Sequence, residues 1–375
     1  VKPIYNPIVS TTDPNDSMAT LKDIAKICGV SITTVSYVLN NSDRKVLPAT
    51  RLRVLDAMAT LNYQPNAHAR ALKGVRTPVI GVVFPHPTLP FRNVYFGPVL
   101  EGIVSVATER KIATMLFTGF TWEETENGAQ ALFNGICDGF ILVAPRRDSQ
   151  FAHDALMRAV PLVMVGSNPA DPNAVVVDAN NRHGGRLATE HLLELGHRRI
   201  AMILGAEPPN ASGVTDLDGS ATSSLERQEG YSEALRAYGI TPDPALTTTI
   251  GEDSDLARES IARLLQEQKP TAVFGFNDGA AYKTVEVCRQ LGLRVPQDLS
   301  VVGFDDIASS ATYDPPLTTI RQPIQKIGSR AVELLCDQIG GMDLRGHRFM
   351  MDVQLIQRRS TTPIYFLSEG GAPLQ

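Results

Sequence analysis

From residue 78 onward, seven short apolar runs (79–84, 112–117, 139–143, 162–165, 200–204, 272–276 and 300–304) alternate with longer stretches of helical composition. A strand that is apolar along its whole length is buried on both faces, as in parallel sheets whose crossover helices cover either side. Seven or more such strands within 77–363 suit two doubly wound sheets better than one. The expectation is a two-lobed α/β core, with any ligand in the crevice beyond the carboxyl ends of the strands.

Residues 20–40 read differently, as two short helices joined at Gly29. Thr20 followed by Asp23 three residues on is a capping-box pattern, and Ile24, Ala25 and Ile27 supply the buried side of the first helix. Gly29 suits the sharp turn, and Ser31 caps the second helix through its hydroxyl. With Val35, Val38 and Leu39 facing inward, Ile32, Thr33, Ser36 and Tyr37 remain outside, where a helix-turn-helix meets base edges. Taken alone, the pattern also fits a helical hairpin with a merely solvated outer face. A third helix is expected over 48–61, with Pro48 in its first turn and Leu52, Leu55 and Ala59 on the inner face.

The overall charge of −5 speaks against a nucleic-acid partner, but its distribution speaks for one. Residues 18–76 carry nine Lys and Arg against three acids, whereas the chain beyond them has a surplus of ten negative charges. A basic head on an acidic body fits a phosphate-contacting module joined to a separate sensing domain.

Composition narrows the remaining classes. At 375 residues, 43% hydrophobic and 20% charged, the chain has room for two to three globular domains. It contains no apolar run of about 18 residues and no charged-then-apolar secretion signal, so a cytoplasmic location without a membrane partner is expected. Cys28, Cys137, Cys288 and Cys336 are scattered and have no metal-site spacing, so buried thiols and no metal or cofactor are expected. Residues 1–17 read as a disordered extension. The alanine-rich segment between Pro65 and Gly74 favours helix but is too short to hold one alone, so it would fold on a partner.

Several motifs occur in a fixed order and spacing: Leu21-Lys22-Asp23-Ile24-Ala25, Gly29-Val30-Ser31, Thr34-Val35-Ser36-Tyr37-Val38-Leu39-Asn40, Thr50-Arg51 and Leu61-Asn62-Tyr63-Gln64-Pro65-Asn66. His191-Leu192-Leu193-Glu194-Leu195-Gly196-His197, the run 294–306 ending Gly303-Phe304-Asp305-Asp306, and Pro316-Leu317-Thr318-Thr319-Ile320 follow. Through them the chain resembles the LacI/GalR bacterial transcription regulators over 18–363. The resemblance implies an all-α helix-turn-helix headpiece at 18–65 and a hinge helix with linker at 66–76. It further implies a core at 77–363 similar to periplasmic sugar-binding proteins, and leaves a tail at 364–375. The first lobe would take 77–178 and 323–340, the second 180–321 and 345–363. A homodimer on a pseudo-palindromic double-stranded DNA operator is implied, acting as a repressor that its effector releases.

Residue by residue, the resemblance assigns DNA contacts to Thr20, Ser31, Ile32, Thr33, Thr34, Ser36, Tyr37 and Asn40, and in the hinge to Asn66, Ala69, Arg70, Leu72 and Lys73. Tyr37 stands where Arg or His is frequent; one hydroxyl and a ring replace a bidentate guanine contact, so the preferred half-site should differ. Leu72 matches a leucine that wedges between central base pairs, which suits a flexible pyrimidine–purine step. Its alternative role is a contact with the sensor core. Ala69 would let paired hinge helices approach, with Arg70 and Lys73 at the minor-groove edge or the phosphates. Leu47 departs from the family pattern by replacing the usual Ser or Thr cap before the third helix, a loss of about 0.5–2 kcal/mol.

For the effector, the resemblance points to Arg227, Asn277, Asp278 and Asp305. Carboxylates and a guanidinium between apolar walls suit a small carbohydrate-like molecule, whose hydroxyls both donate and accept. Tyr95, Phe96 and Trp122 would stack on a sugar face or else pack beneath the cleft, and Arg146 is a further cleft candidate. The Pro/Gly/Ser-rich stretch 206–224 is longer than usual for the family and should form a flap at the cleft mouth.

Two other functions compete. An enzyme on the same scaffold finds no Gly-x-Gly-x-x-Gly after a strand, no phosphate-loop lysine motif and no Gly-x-Ser-x-Gly elbow. His183, His191 and His197 cluster in sequence, but His191 and His197 fall on a helix and its end, where surface or capping roles are expected. A transport-type sugar-binding protein is disfavoured by the headpiece.

Overall fold

The computed structural model describes residues 20–39, 46–61, 78–84, 94–118, 132–147, 149–167, 169–206, 222–251 and 254–364. Asn40, Asn66, Ala69, Arg70, Leu72, Lys73, Trp122 and most of the expected flap lie outside them. The chain divides into two compact units, residues 1–75 and 76–375.

The first unit holds α1 (Leu21–Cys28), α2 (Ile32–Leu39) and α3 (Pro48–Thr60). The Thr20 amide donates to Asp23 Oδ2 at 2.8 Å and the Asp23 amide to Thr20 Oγ1 at 3.4 Å, closing the capping box. Gly29 ends α1 at φ 60°, a left-handed conformation that releases its N–H to the Ala25 and Lys26 carbonyls. Ser31 Oγ then accepts the Thr34 amide at 3.1 Å and starts α2. The buried core is Ile24, Ala25, Cys28, Val35, Val38, Val54 and Ala57.

Two inner faces differ from expectation. Ile27 is 61% exposed and Cys28 takes its place; on α3, Leu52 is 68% exposed and Leu55 also faces out, while Val54 and Ala57 are buried. Helix α3 carries two apolar stripes at helical spacing, and periodicity does not choose between them. Docking against α1 and α2 does.

The second unit contains two six-stranded sheets. The first lobe has β1 (Val79–Val83), β2 (Ala113–Phe117), β3 (Gly139–Val143), β4 (Leu162–Val165) and β5 (Val175–Ala179), with helices α4 (Phe96–Glu109) and α5 (Gln150–Met157). The chain then crosses to the second lobe through α6 (Asn181–Glu194), β6 (Ile200–Gly205), α7 (Thr222–Ala237), β7 (Thr247–Ile250) and α8 (Ser254–Gln268). β8 (Ala272–Gly275), α9 (Asp278–Gln290), β9 (Ser300–Asp305) and β10 (Thr318–Arg321) complete it; α10 (Ile324–Ile339) and β11 (Arg348–Met351) return to the first lobe, and β12 (Gln354–Ile356) closes the second.

The strand orders are β11-β5-β4-β3-β1-β2 and β12-β10-β9-β8-β6-β7, one order used twice. Among the described residues all strand pairs are parallel except β10–β12. The seven runs read from sequence are strands; β5, β7, β10, β11 and β12 add to them. β11 pairs in parallel with β5, so residues 348–351 belong to the first lobe rather than to the second as their position after 345 implied.

After the fifth strand of each lobe the helix passes to the other lobe: α6 packs with α7, and α10 with α4. Both pairs meet backbone to backbone. A Cβ on Gly185 or Gly230 would fall 2.1 or 1.9 Å from the Arg227 or Arg182 carbonyl oxygen, and one on Gly102 or Gly328 at 1.9 or 2.0 Å from that of Gln325 or Val99. One apolar cluster, from Ile80 and Val82 through Val177 and Ile320 to Phe304, runs through both lobes.

Leu47 caps α3 without a side-chain hydrogen bond and is 74% exposed, so its replacement costs no packing. A three-helix unit has little core to spare, and one capping bond counts. Leu47→Ser is therefore expected to stabilise the headpiece by about 1 kcal/mol, measured from its urea midpoint. An unchanged midpoint would mean that Pro48 alone already fixes the helix start.

Candidate functional site

The carboxyl ends of both sheets bring together Tyr95, Asp178, Asn181, Glu226, Arg227, Asp305 and Gln322. Arg227, in the second turn of α7, is buried and donates through Nε to Asn181 Oδ1 at 2.9 Å and through Nη1 to the Phe276 carbonyl. Its Nη1 lies 3.8 Å from Asp305 Oδ1, and its Cζ sits 3.6 Å above the Phe304 ring centroid. Asn181 also donates to Asp178 Oδ2 at 3.0 Å and to Glu226 Oε2 at 3.4 Å, while Glu226 lies 3.5 Å from Arg348 on β11. The guanidinium is thereby held within the second lobe and linked through Asn181 to Asp178 at the end of β5 in the first.

Asp305 and Asp306 have φ of 117° and 55°, where L-residues are strained. Side-chain bonds hold them there. Gln322 Nε2 donates to Asp305 Oδ1 at 2.6 Å, and Arg321 Nε and Arg358 Nη2 each reach Asp306 at 2.6 Å.

Burial raises the Asp178 carboxyl to about 7, helped by Glu226. It raises Asp305 too, against the pull of Arg227. Burial first, then the Asp178 and Asp305 charges, hold the Tyr95 phenol protonated far above its ordinary range. Asp305 thus lies against Arg227 and Glu226 against Arg348, with Asp178 tied to both through Asn181. Such a cleft is rich in acceptors, which favours a neutral ligand carrying hydroxyls.

The other sequence candidates are placed less directly. Phe96 is buried against Phe84, with ring centroids 5.5 Å apart, so it packs beneath the cleft. Arg146 is half-buried just past β3. Asn277 caps α9, its Oδ1 accepting the Ala280 amide at 2.8 Å. Asp278 is fully buried and accepts from Thr319 Oγ1 at 2.5 Å, Ser310 Oγ at 2.7 Å and the Ile307 amide at 3.0 Å. It ties β10 and the loop after β9 together rather than presenting its oxygens to a ligand.

Sequence reasoning missed Asp178, Asn181, Glu226, Gln322 and Arg348. Asp178 had a readable signal, being a carboxylate inside the apolar run Val175-Val176-Val177-Asp178-Ala179. The other four are polar residues in polar stretches and become visible only through the crossovers. His191 and His197, expected at the surface or as caps, are both buried. His191 Nε2 lies 3.0 Å from Thr361 Oγ1, and His197 contacts Thr271, Ser300 and Thr362, pinning the segment after β12.

In the headpiece, Ile32 and Thr33 are exposed at the start of α2, with Ser36 and Tyr37 half-buried beside them. Ser31 Oγ and Thr34 Oγ1 lie 2.9 Å apart and serve the cap, as Thr20 serves that of α1. No acid occupies the first turn of α2, so its positive end is not neutralised and suits a phosphate.

A helix-turn-helix unit joined to a two-lobed core with an acceptor-rich cleft defines a ligand-controlled DNA-binding regulator. Residues 20–66 match the model of the lacI family of bacterial regulatory proteins, and residues 189–361 that of a periplasmic binding protein-like domain. The chain is 34% identical over 346 residues to the HTH-type transcriptional repressor PurR of Aliivibrio salmonicida, covering 92% of this chain and 99% of that one. It is 32% identical over 350 residues to the HTH-type transcriptional regulator DegA of Bacillus subtilis, covering 92% and 98%. Among solved structures, a lac repressor dimer bound to operator and the anti-inducer ONPF superposes with TM-score 0.73 at 29% identity, over 92% of this chain and all of the other. A CelR–cellobiose complex does so with 0.68 at 31%, over 91% and 99%. The chain belongs to the lacI family of bacterial regulatory proteins.

Two buried groups titrate in opposite directions. Burial lowers His191 to about 4, so between 4 and 6.5 the unfolded chain binds the extra proton and stability rises with pH. Asp178 at about 7 makes the folded state bind the extra proton between 3.8 and 7, so stability falls with pH. The two groups thus pull the pH dependence of stability in opposite directions. Thermal unfolding from pH 4 to 7 should therefore tilt toward acid stability in His191→Gln and toward neutral stability in Asp178→Asn. Parallel profiles in both variants would contradict these assignments.

Proposed function

We propose that this regulator represses transcription by binding a pseudo-palindromic operator as a dimer, and that a neutral, carbohydrate-like effector held between Arg227 and Asp305 releases it. The buried Arg227–Asp305 pair carries the reading, because it lies at the carboxyl ends of the strands amid a surplus of acceptors. The similar CelR solved as a complex with cellobiose supports the ligand class. On the DNA side, Ile32, Thr33 and Tyr37 read base edges and Leu72 wedges into the central minor groove. Lobe closure acts on the DNA by changing the separation of the paired hinge segments.

The test is titration of a fluorescent palindromic duplex with the full chain, with and without a panel of sugars. Operator affinity should fall steeply with salt, and the active sugar should weaken it at least tenfold. Arg227→Gln should keep operator binding and lose the sugar response. Affinity unchanged by every sugar, or a response surviving in Arg227→Gln, would refute the effector assignment.

Dimerisation has a candidate surface on the first lobe, where Val104 of α4 and Met115 and Leu116 of edge strand β2 are exposed. Leu116→Glu would place a charge there. It is expected to shift the chain toward monomer in sedimentation and to weaken operator binding by more than tenfold while the core stays folded by circular dichroism.

A further inference from the structure

The chain passes between the lobes three times, between β5 and α6, between β10 and α10, and between β11 and β12. The first and third crossings lie side by side, the Asn180 amide donating to the Met351 carbonyl at 2.8 Å, so they must bend together when the lobes move. Next to them an ion pair joins the lobes through side chains alone. Arg348 stands on β11, the end strand of the first sheet, and its Nη2 lies 3.5 Å from Oε1 of Glu226. Glu226 belongs to α7, which packs on α6 and β6 of the second lobe.

The pair is connected to the effector cleft by its own bonds. Glu226 Oε2 accepts from Asn181 Nδ2 at 3.4 Å, and Asn181 Oδ1 accepts from Arg227 Nε at 2.9 Å. Glu226 also directly precedes Arg227, so a turn of α7 that moves the carboxyl moves the guanidinium as well. Burial raises the Glu226 carboxyl above its ordinary range and Arg348 draws it back, so a charge on the first lobe helps to keep this second-lobe acid ionised. Such an attraction differs from the apolar cluster that also runs through both lobes. It falls with distance and with entry of water, and salt screens it, because the Arg348 side chain is 36% and that of Glu226 17% exposed.

We propose that Glu226 and Arg348 form an electrostatic latch beside the crossings, made when the lobes are closed and broken when they open, that sets Arg227 in place for the effector. Both are positioning residues, acting through Arg227. The link to an effector rests on the function proposed above; the latch itself does not. A half-exposed pair is weak, so the latch shifts the lobe equilibrium by about two- to fivefold, a bias that a ligand can override.

Amide hydrogen exchange of the full chain, read by mass spectrometry with neither sugar nor DNA present, tests the latch, because exchange through a rapid opening follows the opening equilibrium. Peptides covering 176–182 and 350–354 should exchange about two- to fivefold faster in Arg348→Met and in Glu226→Gln, and no faster in the double variant, while β3 and β8 stay unchanged. Arg348→Lys should keep the wild-type rate. Raising salt from about 0.05 to about 0.5 M should quicken the crossings in the wild-type chain but not in Arg348→Met. Crossings that exchange at the wild-type rate in Arg348→Met would overturn the latch. So would β3 and β8 quickening equally, or a salt effect that persists in that variant. A sugar of the panel above that acts on the wild-type chain should act about two- to fivefold more weakly on Arg348→Met; an equal response beside faster exchange overturns the link to Arg227. A wild-type chain that answers no sugar refutes the proposed function and leaves the latch standing.

Discussion

A guanidinium buried among carboxylates is the interaction on which the sensing core depends. Arg227 can remain charged away from water only because Asp305, Asn181 and the Phe276 carbonyl surround it, and those partners come from separate strand ends and a crossover. Removing one partner of such a pair leaves an uncompensated buried charge, a loss of about 3–5 kcal/mol. The same geometry that makes the pair costly makes it selective. A ligand must replace hydrogen bonds of known direction.

The exchange of helices between lobes explains how the site is built. Each sheet contributes five strands and then hands its next helix to the other lobe, so α6 brings Asn181 to the second lobe and β10 leads through Gln322 back to the first. Glycines at 185 and 230, and at 102 and 328, let the exchanged helices touch backbone to backbone. Contact that close transmits small shifts rather than absorbing them, because packed interiors compress little. Strain at Asp305 and Asp306 is confined to the end of β9, where the carboxylates are fixed by Gln322, Arg321 and Arg358.

Much of the fold was legible because its signals are local. Fully apolar runs marked the buried strands, and the capping box, Gly29 and Ser31 marked the helix-turn-helix. What stayed hidden was phase and partnership. Helix α3 has two apolar stripes, and only its neighbours bury Val54 and Ala57 instead of Leu52 and Leu55. Edge strands such as β11 are short and partly exposed, so they lack the apolar run that revealed β3. Asp278 matched a ligand-contacting motif, yet three donors within its own lobe claim it.

The sequence by itself determined the modules and the charge division between head and core, because each depends on residue type at a fixed spacing, and its family resemblance pointed to Tyr95, Arg227 and Asp305. The tertiary structure decided which carboxylates oppose Arg227, that His191 and His197 are interior, and that β11 joins the first lobe. Those outcomes depend on segments brought together across 46 to 170 residues, by sheet order and helix exchange. No local pattern encodes such a meeting; burial and hydrogen bonding settle it only once the chain has crossed between its lobes.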